Sequence, residues 1–348
     1  MAPDDLQSDW LAAALGEPVI DVARAQVGTG QVGTSVRCHL TYGPGASPSA
    51  PATVVVKMPS IDETSRLTGV ALRNYEREVN FYRELRATVD IRTPRCHHLD
   101  WEPSTGDFAL VLEDLAPAVQ GDQIAGCSVA EAGIAMHELA ALHAPRWDDD
   151  ALHAIEWLSR RGPDDAERVQ DLYQMFWPGF IEHYERWLTA EQIALGEWLG
   201  SAIVAWLDAR MGPFTVTHGD YRLDNMMFGT SAGGYPLAVV DWQTPGHGPG
   251  TADLAYFIGA GLSVEARRAN EHDLVHAYHD ELTRRGVRGW SFDDCWTGYR
   301  LHAFSGVAMA VIASAIVGRT DRGDEMFVAM GTRHLQHALD VESRRLVV

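Results

Sequence analysis

The residues best suited to chemistry lie in two short stretches, His218-Gly-Asp220-Tyr-Arg-Leu-Asp224-Asn225 and Val239-Val-Asp241-Trp-Gln243. An Asp and an Asn sit five positions apart, and a second Asp closes an apolar run. Phosphoryl transfer from ATP asks for these residue types in this order: one carboxylate orients the attacking hydroxyl, while an amide and another carboxylate hold Mg²⁺ on the phosphates. On this reading Asp220 is the catalytic residue, and Asn225 and Asp241 are metal ligands offering oxygen to a hard cation. His218 shapes the loop. Asp and Asn are also common in plain turns, so the assignment leans on what lies upstream.

Upstream, Lys57 is a lone cation in the apolar run Thr53-Val-Val-Val-Lys57-Met58. A buried, unpaired lysine is costly, so it calls for a carboxylate and a phosphate. The following helical segment offers Glu76 and Glu78; Glu78 shares the face of Tyr75, Tyr82 and Leu85 and is the expected partner. Gly28, Gly30 and Gly33 spell G-x-G-x-x-G. A dinucleotide site would need a helix directly after them and an acid about twenty positions on. Ser35 to Tyr42 reads instead as extended, and no acid lies near Ala50. A glycine turn between two strands, folding N–H groups over phosphates, fits better. Protein kinases place a valine two residues after the last glycine; this chain has Ser35 there, then Val36. Glu113-Asp114-Leu115 ends another apolar strand, and the backbone of Glu113 and Leu115 could meet an adenine edge.

The elements that must position these residues follow from periodicity. Asp4 to Leu15 reads as a short capped helix. Strands are expected at 19–27, 35–42, 53–58, 96–102 and 108–113, with one helix over 65–89. After Leu115 the pattern is helical to the end, except for two short strands flanking the turn 229–235. This β-rich first third and helical remainder give an α+β chain of two lobes, 1–116 for nucleotide and 117–348 for catalysis and acceptor.

At 348 residues with 46% hydrophobic content the chain is ample for such a core. A net charge of −20 argues against nonspecific binding to nucleic acid or an anionic membrane. The four cysteines are scattered, and the N-terminus has no secretory pattern, so a cytoplasmic protein is expected. Gly306 to Val317 is too short to span a bilayer and reads as a buried helix. Three patterns are discounted. Gly229-Thr-Ser-Ala-Gly233 lacks the helix of a nucleophile elbow. His272, His276 and His279 read as a solvated helix face, and the tryptophans between Trp147 and Trp206 as packing.

Taken together, the chain resembles the aminoglycoside phosphotransferase-like family of small-molecule kinases, in the branch that includes ecdysteroid kinase-like proteins and related bacterial phosphotransferases. The resemblance rests on Lys57 in its strand, Glu76-Arg-Glu78-Val-Asn-Phe-Tyr82, Leu112-Glu-Asp-Leu115 and Leu139-Ala-Ala-Leu-His143. It extends through HGDYRLDN, DWQ at 241–243 and Gly250-Thr-Ala-Asp253-Leu-Ala-Tyr-Phe257. It implies a protein-kinase-like fold, ATP and Mg²⁺ as cofactors, and Asp220 as catalytic Asp. It further implies Asn225 and Asp241 on magnesium, Lys57 with Glu78 on the triphosphate, and Asp253 as a structural acid. Trp242-Gln243 replaces the Phe-Gly of protein kinases, and the short link to Asp253 leaves no room for an activation loop. The partner expected is a small-molecule hydroxyl substrate, amphipathic alcohol, aminoglycoside or hydroxyacyl compound. Asp148-Asp-Asp150 could meet a cationic one, and the aromatic residues from Trp157 to Trp187 an amphipathic one. The competing reading is a nucleotide-binding scaffold without phosphotransfer.

Overall fold

Apolar alternation in the first third builds one antiparallel sheet. The computed structural model describes residues 2–28, 32–160, 162, 164–209, 212–229 and 233–347. The chain forms two compact units: Met1–Thr88, Arg92–Ala118 and Gly229–Thr244 in one, Val89–Ile91, Val119–Phe228 and Pro245–Val348 in the other. The expected single cut after residue 116 thus omits a return of the chain, 229–244, to the first unit.

In the first unit, strands β1 (Val19–Val27), β2 (Gly33–Tyr42), β3 (Thr53–Pro59), β4 (Cys96–Glu102) and β5 (Asp107–Glu113) pair in the order β1-β2-β3-β5-β4. Period-2 alternation sorts the two faces. Val54, Val56 and Met58 pack with Val36, Val111 and, from the N-terminal helix α1 (Ser8–Leu15), Leu11. On the opposite face Phe108, Leu110 and Leu112 pack on Tyr75 and Val79. Each such side chain, fully buried, contributes roughly 1.5–3 kcal/mol.

The helix expected over 65–89 is broken. Asp62 caps α2 (Glu63–Ala71) through the Ser65 N–H, and Arg73 then takes a left-handed φ of 57°. A second helix, α3 (Asn74–Asn80), starts there and runs into a wide π-type turn, Phe81–Leu85. The break turns Glu76 toward Arg73, whose guanidinium donates to its carboxylate at 2.6 Å.

The second unit is mainly helical. Its helices are α4 (Val129–His143), α5 (Asp165–Tyr184), α6 (Ala190–Ala209), α7 (Thr251–Gly261), α8 (Val264–Arg284), α9 (Phe292–Leu301), α10 (Phe304–Ile316) and α11 (Asp321–Asp340). A full capping box at Ser128 and Glu131 starts α4. Every residue of α7 except Ala252 is buried, as for a helix apolar on all sides. In α10 the first two turns are buried and the end emerges, with Ile316 exposed. The two short strands expected beside the turn 229–235 are present as Met226–Phe228 and Leu237–Val239; beyond them, Phe214–Thr217 pairs with Gly246–Pro249, and Val119–Gln120 pairs with Met226–Phe228. Of the tryptophans here Trp157, Trp177 and Trp206 are buried, with Tyr173, Trp177 and Phe180 stacked in sequence along α5, whereas Trp187 is exposed.

Candidate active site

In the first unit, register decides where Lys57 points. Lys57 lies opposite Leu110 in β5 and opposite Ser35 in β2, so it shares the face covered by α3. Glu78, 1% exposed, reaches it from α3 with a carboxylate 2.8 Å from the ammonium. Asp241, from the returning segment, accepts from the same ammonium at 2.9 Å. Burial alone would push the Lys57 pKa down, but the carboxylates of Asp241 and Glu78 outweigh it and raise it, so the cation is kept. Burial pushes the Glu78 carboxyl above its ordinary range, against the pull of the Lys57 ammonium and with the Asp241 carboxylate adding to the rise.

Asp241 is held in an uncommon conformation, φ 64°. For a non-glycine residue this costs on the order of 1 kcal/mol, and Asp tolerates it better than most. Its neighbour supplies the constraint. Trp242 is fully buried, stacks face to face on Phe81 with centroids 3.8 Å apart, and donates its indole N–H to Val239. Gly33 is fitted beside Lys57: a Cβ there would meet the Met58 carbonyl at 3.3 Å and Lys57 Cε at 3.5 Å. Gly28 takes φ 74° at the end of β1, and Gly30 lies outside the described residues. A strand follows the glycines, which excludes the dinucleotide arrangement. Ser35 lies within that strand.

At the end of β5, the Glu113 N–H donates to the Arg95 carbonyl, and the Glu113 carboxylate pairs with Arg92 at 2.7 Å. The Leu115 carbonyl accepts from the Tyr235 hydroxyl at 2.8 Å and from the Ala118 N–H. A planar edge placed here would therefore be met by the Glu113 carbonyl and the Leu115 N–H. Asp114 is bound by Arg37 through two hydrogen bonds of 2.8 and 2.9 Å.

In the second unit the loop 218–225 is anchored from α7. The Asp253 carboxylate, 3% exposed, accepts from the backbone N–H of His218 at 2.6 Å and of Gly219 at 3.0 Å. Gly219 turns the chain with φ 81°. His218 is fully buried, and its Nδ1 accepts from the Asp220 N–H at 3.2 Å. Asp220 is thereby presented with a quarter of its side chain exposed. Burial would raise its pKa, but the Arg222 guanidinium, His218 and hydrogen bonds from Arg222 and Tyr256 hold the carboxyl below its ordinary range.

Asn225 donates its amide N–H groups to the Asp220 carbonyl at 2.9 Å and to Asp220 Oδ2 at 2.8 Å. That fixes the amide so its Oδ1 is turned away from Asp220, the orientation a cation ligand needs. The donor chemistry of both candidate ligands, an amide oxygen at Asn225 and a carboxylate at Asp241, fits Mg²⁺. Sequence reasoning gave Arg222 and Tyr256 no part, although both stood in the motifs it used. Arg222 Nε spans the two Asp220 oxygens at 3.1 and 3.0 Å, and its other arm reaches Asp224.

In the acidic run 148–150 the middle residue serves local structure. Asp149 accepts from the Ala151 N–H and pairs with Arg146. His279 bonds the Trp290 carbonyl and His276 stacks on Phe292, and no metal-holding cluster occurs among the described residues. Of the G-x-S-x-G pattern, residues 230–232 lie outside the described residues.

The model of the Phosphotransferase enzyme family matches residues 50–290, more than half of the chain. No curated protein matches it. Among solved structures, the Plasmodium vivax ethanolamine kinase aligns over 99% of this chain and 86% of its own, with TM-score 0.56 and 10% identity. The ADP-bound aminoglycoside phosphotransferase APH(2'')-Ib aligns over 96% and 97%, with TM-score 0.53 and 15% identity. A microcompartment-associated aminopropanol kinase aligns over 97% and 99%, with TM-score 0.52 and 13% identity. At these identities the likeness speaks for the fold, which is α+β, two-lobed and kinase-like.

Proposed function

Because the chain belongs to the phosphotransferase enzyme family, we propose that it is a small-molecule O-kinase that transfers the γ-phosphoryl group of ATP to an alcohol. One observation carries the reading: a loop carboxylate, Asp220, is held by Arg222, Asn225 and Tyr256 yet keeps an exposed edge. That is the state expected of a group that orients a hydroxyl. The bond from the acceptor oxygen to γ-phosphorus forms as the bond from phosphorus to the ADP oxygen breaks, and the hydroxyl proton passes to Asp220. With a loose transition state the proton leaves late, so a carboxylate of low pKa suffices.

Each unit has its own task in this reading. In the first, Lys57 offers its ammonium to phosphate oxygens, with Glu78 and Asp241 fixing its direction. Gly28, Gly33 and Ser35 line the nucleotide side, and Glu113 and Leu115 offer backbone groups to adenine. In the second, Asp220 orients the acceptor. Asp241 and Asn225 are the residues that would hold Mg²⁺, which when bound neutralises charge on the phosphates. The ADP bound to the APH(2'')-Ib structure supports an adenine nucleotide. The ethanolamine and aminopropanol kinases support a small alcohol as acceptor.

The test is ADP release from Mg·ATP against aminoglycosides, macrolides, sterols, choline and hydroxyacyl thioesters, with Asp220→Asn beside the parent. We expect one class to stimulate release and Asp220→Asn to reduce it by 10²-fold or more, about the loss of a positioned acid–base group. An Asp220→Asn protein that turns over like the parent removes Asp220 from the chemistry. ATP bound but no release with any alcohol would favour the scaffold.

A further inference from the structure

We propose that Tyr256, backed by His334, is a positioning residue that sets the direction from which Asp220 receives the acceptor hydroxyl; this rests on the kinase reading above. Tyr256 lies on α7, three residues after the acid that anchors the loop, and its hydroxyl donates to Asp220 Oδ1 at 2.9 Å. An ionised carboxylate has about four lone-pair sites. Among the described residues three donors occupy Asp220: Tyr256 on Oδ1, Asn225 on Oδ2, and Arg222 Nε shared between the oxygens. Because Arg222 Nε reaches both oxygens, each oxygen carries two contacts, and the three donors confine a hydroxyl to the exposed quarter of the side chain.

The three are not equivalent. Asn225 and Arg222 belong to the same loop as Asp220, and Arg222 also reaches the Met326 sulfur of α11. Tyr256 comes from a helix buried on almost all sides, so it ties the carboxylate to the core of the unit. Its ring is fixed in turn. His334 of α11 lies parallel to it, centroids 5.3 Å apart with planes 8° from parallel. His334 is fully buried in a slot that only glycines allow: a Cβ at Gly306 would come within 2.1 Å of the imidazole, and one at Gly259 within 2.7 Å. Neither imidazole nitrogen has a hydrogen-bond partner among the described residues. This ring serves as a flat backing surface in the packing, at the expense of its own hydrogen bonds.

The test uses the whole chain and Mg·ATP hydrolysis with water as acceptor, so no alcohol need be known. Tyr256→Phe keeps the ring on His334 and removes only the donor. We expect kcat to fall roughly tenfold, the worth of one hydrogen bond to a charged group, while KM for ATP and the thermal midpoint stay close to the parent. In the Asp220→Asn background the same change should add little, because a residue acting through Asp220 has nothing left to act on. Tyr173→Phe is the control, since that buried hydroxyl bonds the Gly196 carbonyl, at 3.1 Å, and no carboxylate among the described residues; it should leave kcat unchanged. An unchanged kcat in Tyr256→Phe, or an equal loss in both backgrounds, would overturn the positioning role while a collapsed Asp220→Asn upheld the kinase reading. An Asp220→Asn protein at the parental rate would sink both.

Discussion

Replacing Asp253 with asparagine changes one oxygen to nitrogen and nothing in size, yet the structure predicts a large loss. The carboxylate accepts two backbone N–H groups, from His218 at 2.6 Å and Gly219 at 3.0 Å, in a site 3% exposed. Asparagine keeps one neutral acceptor oxygen in place of two charged ones, and with its amide in the parental orientation the N–H₂ faces the second N–H. One hydrogen bond to a charged group is lost, about 1.5–3 kcal/mol, and a buried donor is left unpaired, about 1–3 kcal/mol. Together about 2.5–6 kcal/mol goes, a large part of the ~5–15 kcal/mol that holds a typical domain. Equilibrium urea unfolding of parent and variant measures the difference directly. Because the lost bonds hold the loop that carries Asp220, turnover should drop further than stability alone accounts for at temperatures where the variant is still folded. A variant within about 1 kcal/mol of the parent would refute the charged two-bond anchor, since even an amide oxygen shared by both N–H groups forfeits the charge of the acceptor.

Two further predictions concern buried charge. Glu78→Gln removes one of the two carboxylates around Lys57 and leaves Asp241, so the lysine stays paired; nucleotide affinity should fall about tenfold, read by ATP titration, and an unaltered affinity would detach Glu78 from the phosphate site. Burial, with Arg333 and Arg267 nearby, lowers the His334 pKa to about 3. The unfolded chain, at the ordinary imidazole pKa, therefore takes up the proton first, and His334 contributes stability above pH 6.5 that is lost as the pH falls toward 3. Between pH 7.5 and 5 the loss is about 2 kcal/mol for this one residue. Urea midpoints at the two pH values should show a steeper fall in the parent than in His334→Asn, and equal slopes would rule the residue out.

Much of this was legible in the chain because local pattern and tertiary need agree. β1 and β4 have the bounds that alternation gave them, and the apolar strand around Lys57 demanded a partner that Glu78 supplies. Periodicity failed at Arg73, where one left-handed residue splits a helix without disturbing the spacing of apolar positions. It also failed at Gly246–Pro249, which fell in the run read as helical but pairs with Phe214–Thr217. Tyr256 was invisible for another reason. A tyrosine in an apolar helix looks like core, and only the fold shows its hydroxyl on a carboxylate thirty-six positions away. Asp241 was legible as a ligand type but not as a member of the first unit, because sequence order says nothing about where a segment returns.

That return has a consequence for the making of the protein. Lys57 and Asp241 are 184 positions apart, so on a ribosome the lysine emerges long before its second carboxylate exists. At about 5–20 residues per second the wait is roughly 10–40 seconds. Throughout it Glu78, only 21 positions downstream, gives Lys57 a one-to-one counter-charge, and the sheet can close around a neutral pair. Trp242 has no such stand-in: Phe81 must keep an open apolar face until the indole arrives to cover it. The first unit is thus the earliest to begin and among the last to be finished, and a nascent chain stalled before residue 242 would carry that unsealed ring as its most adhesive feature.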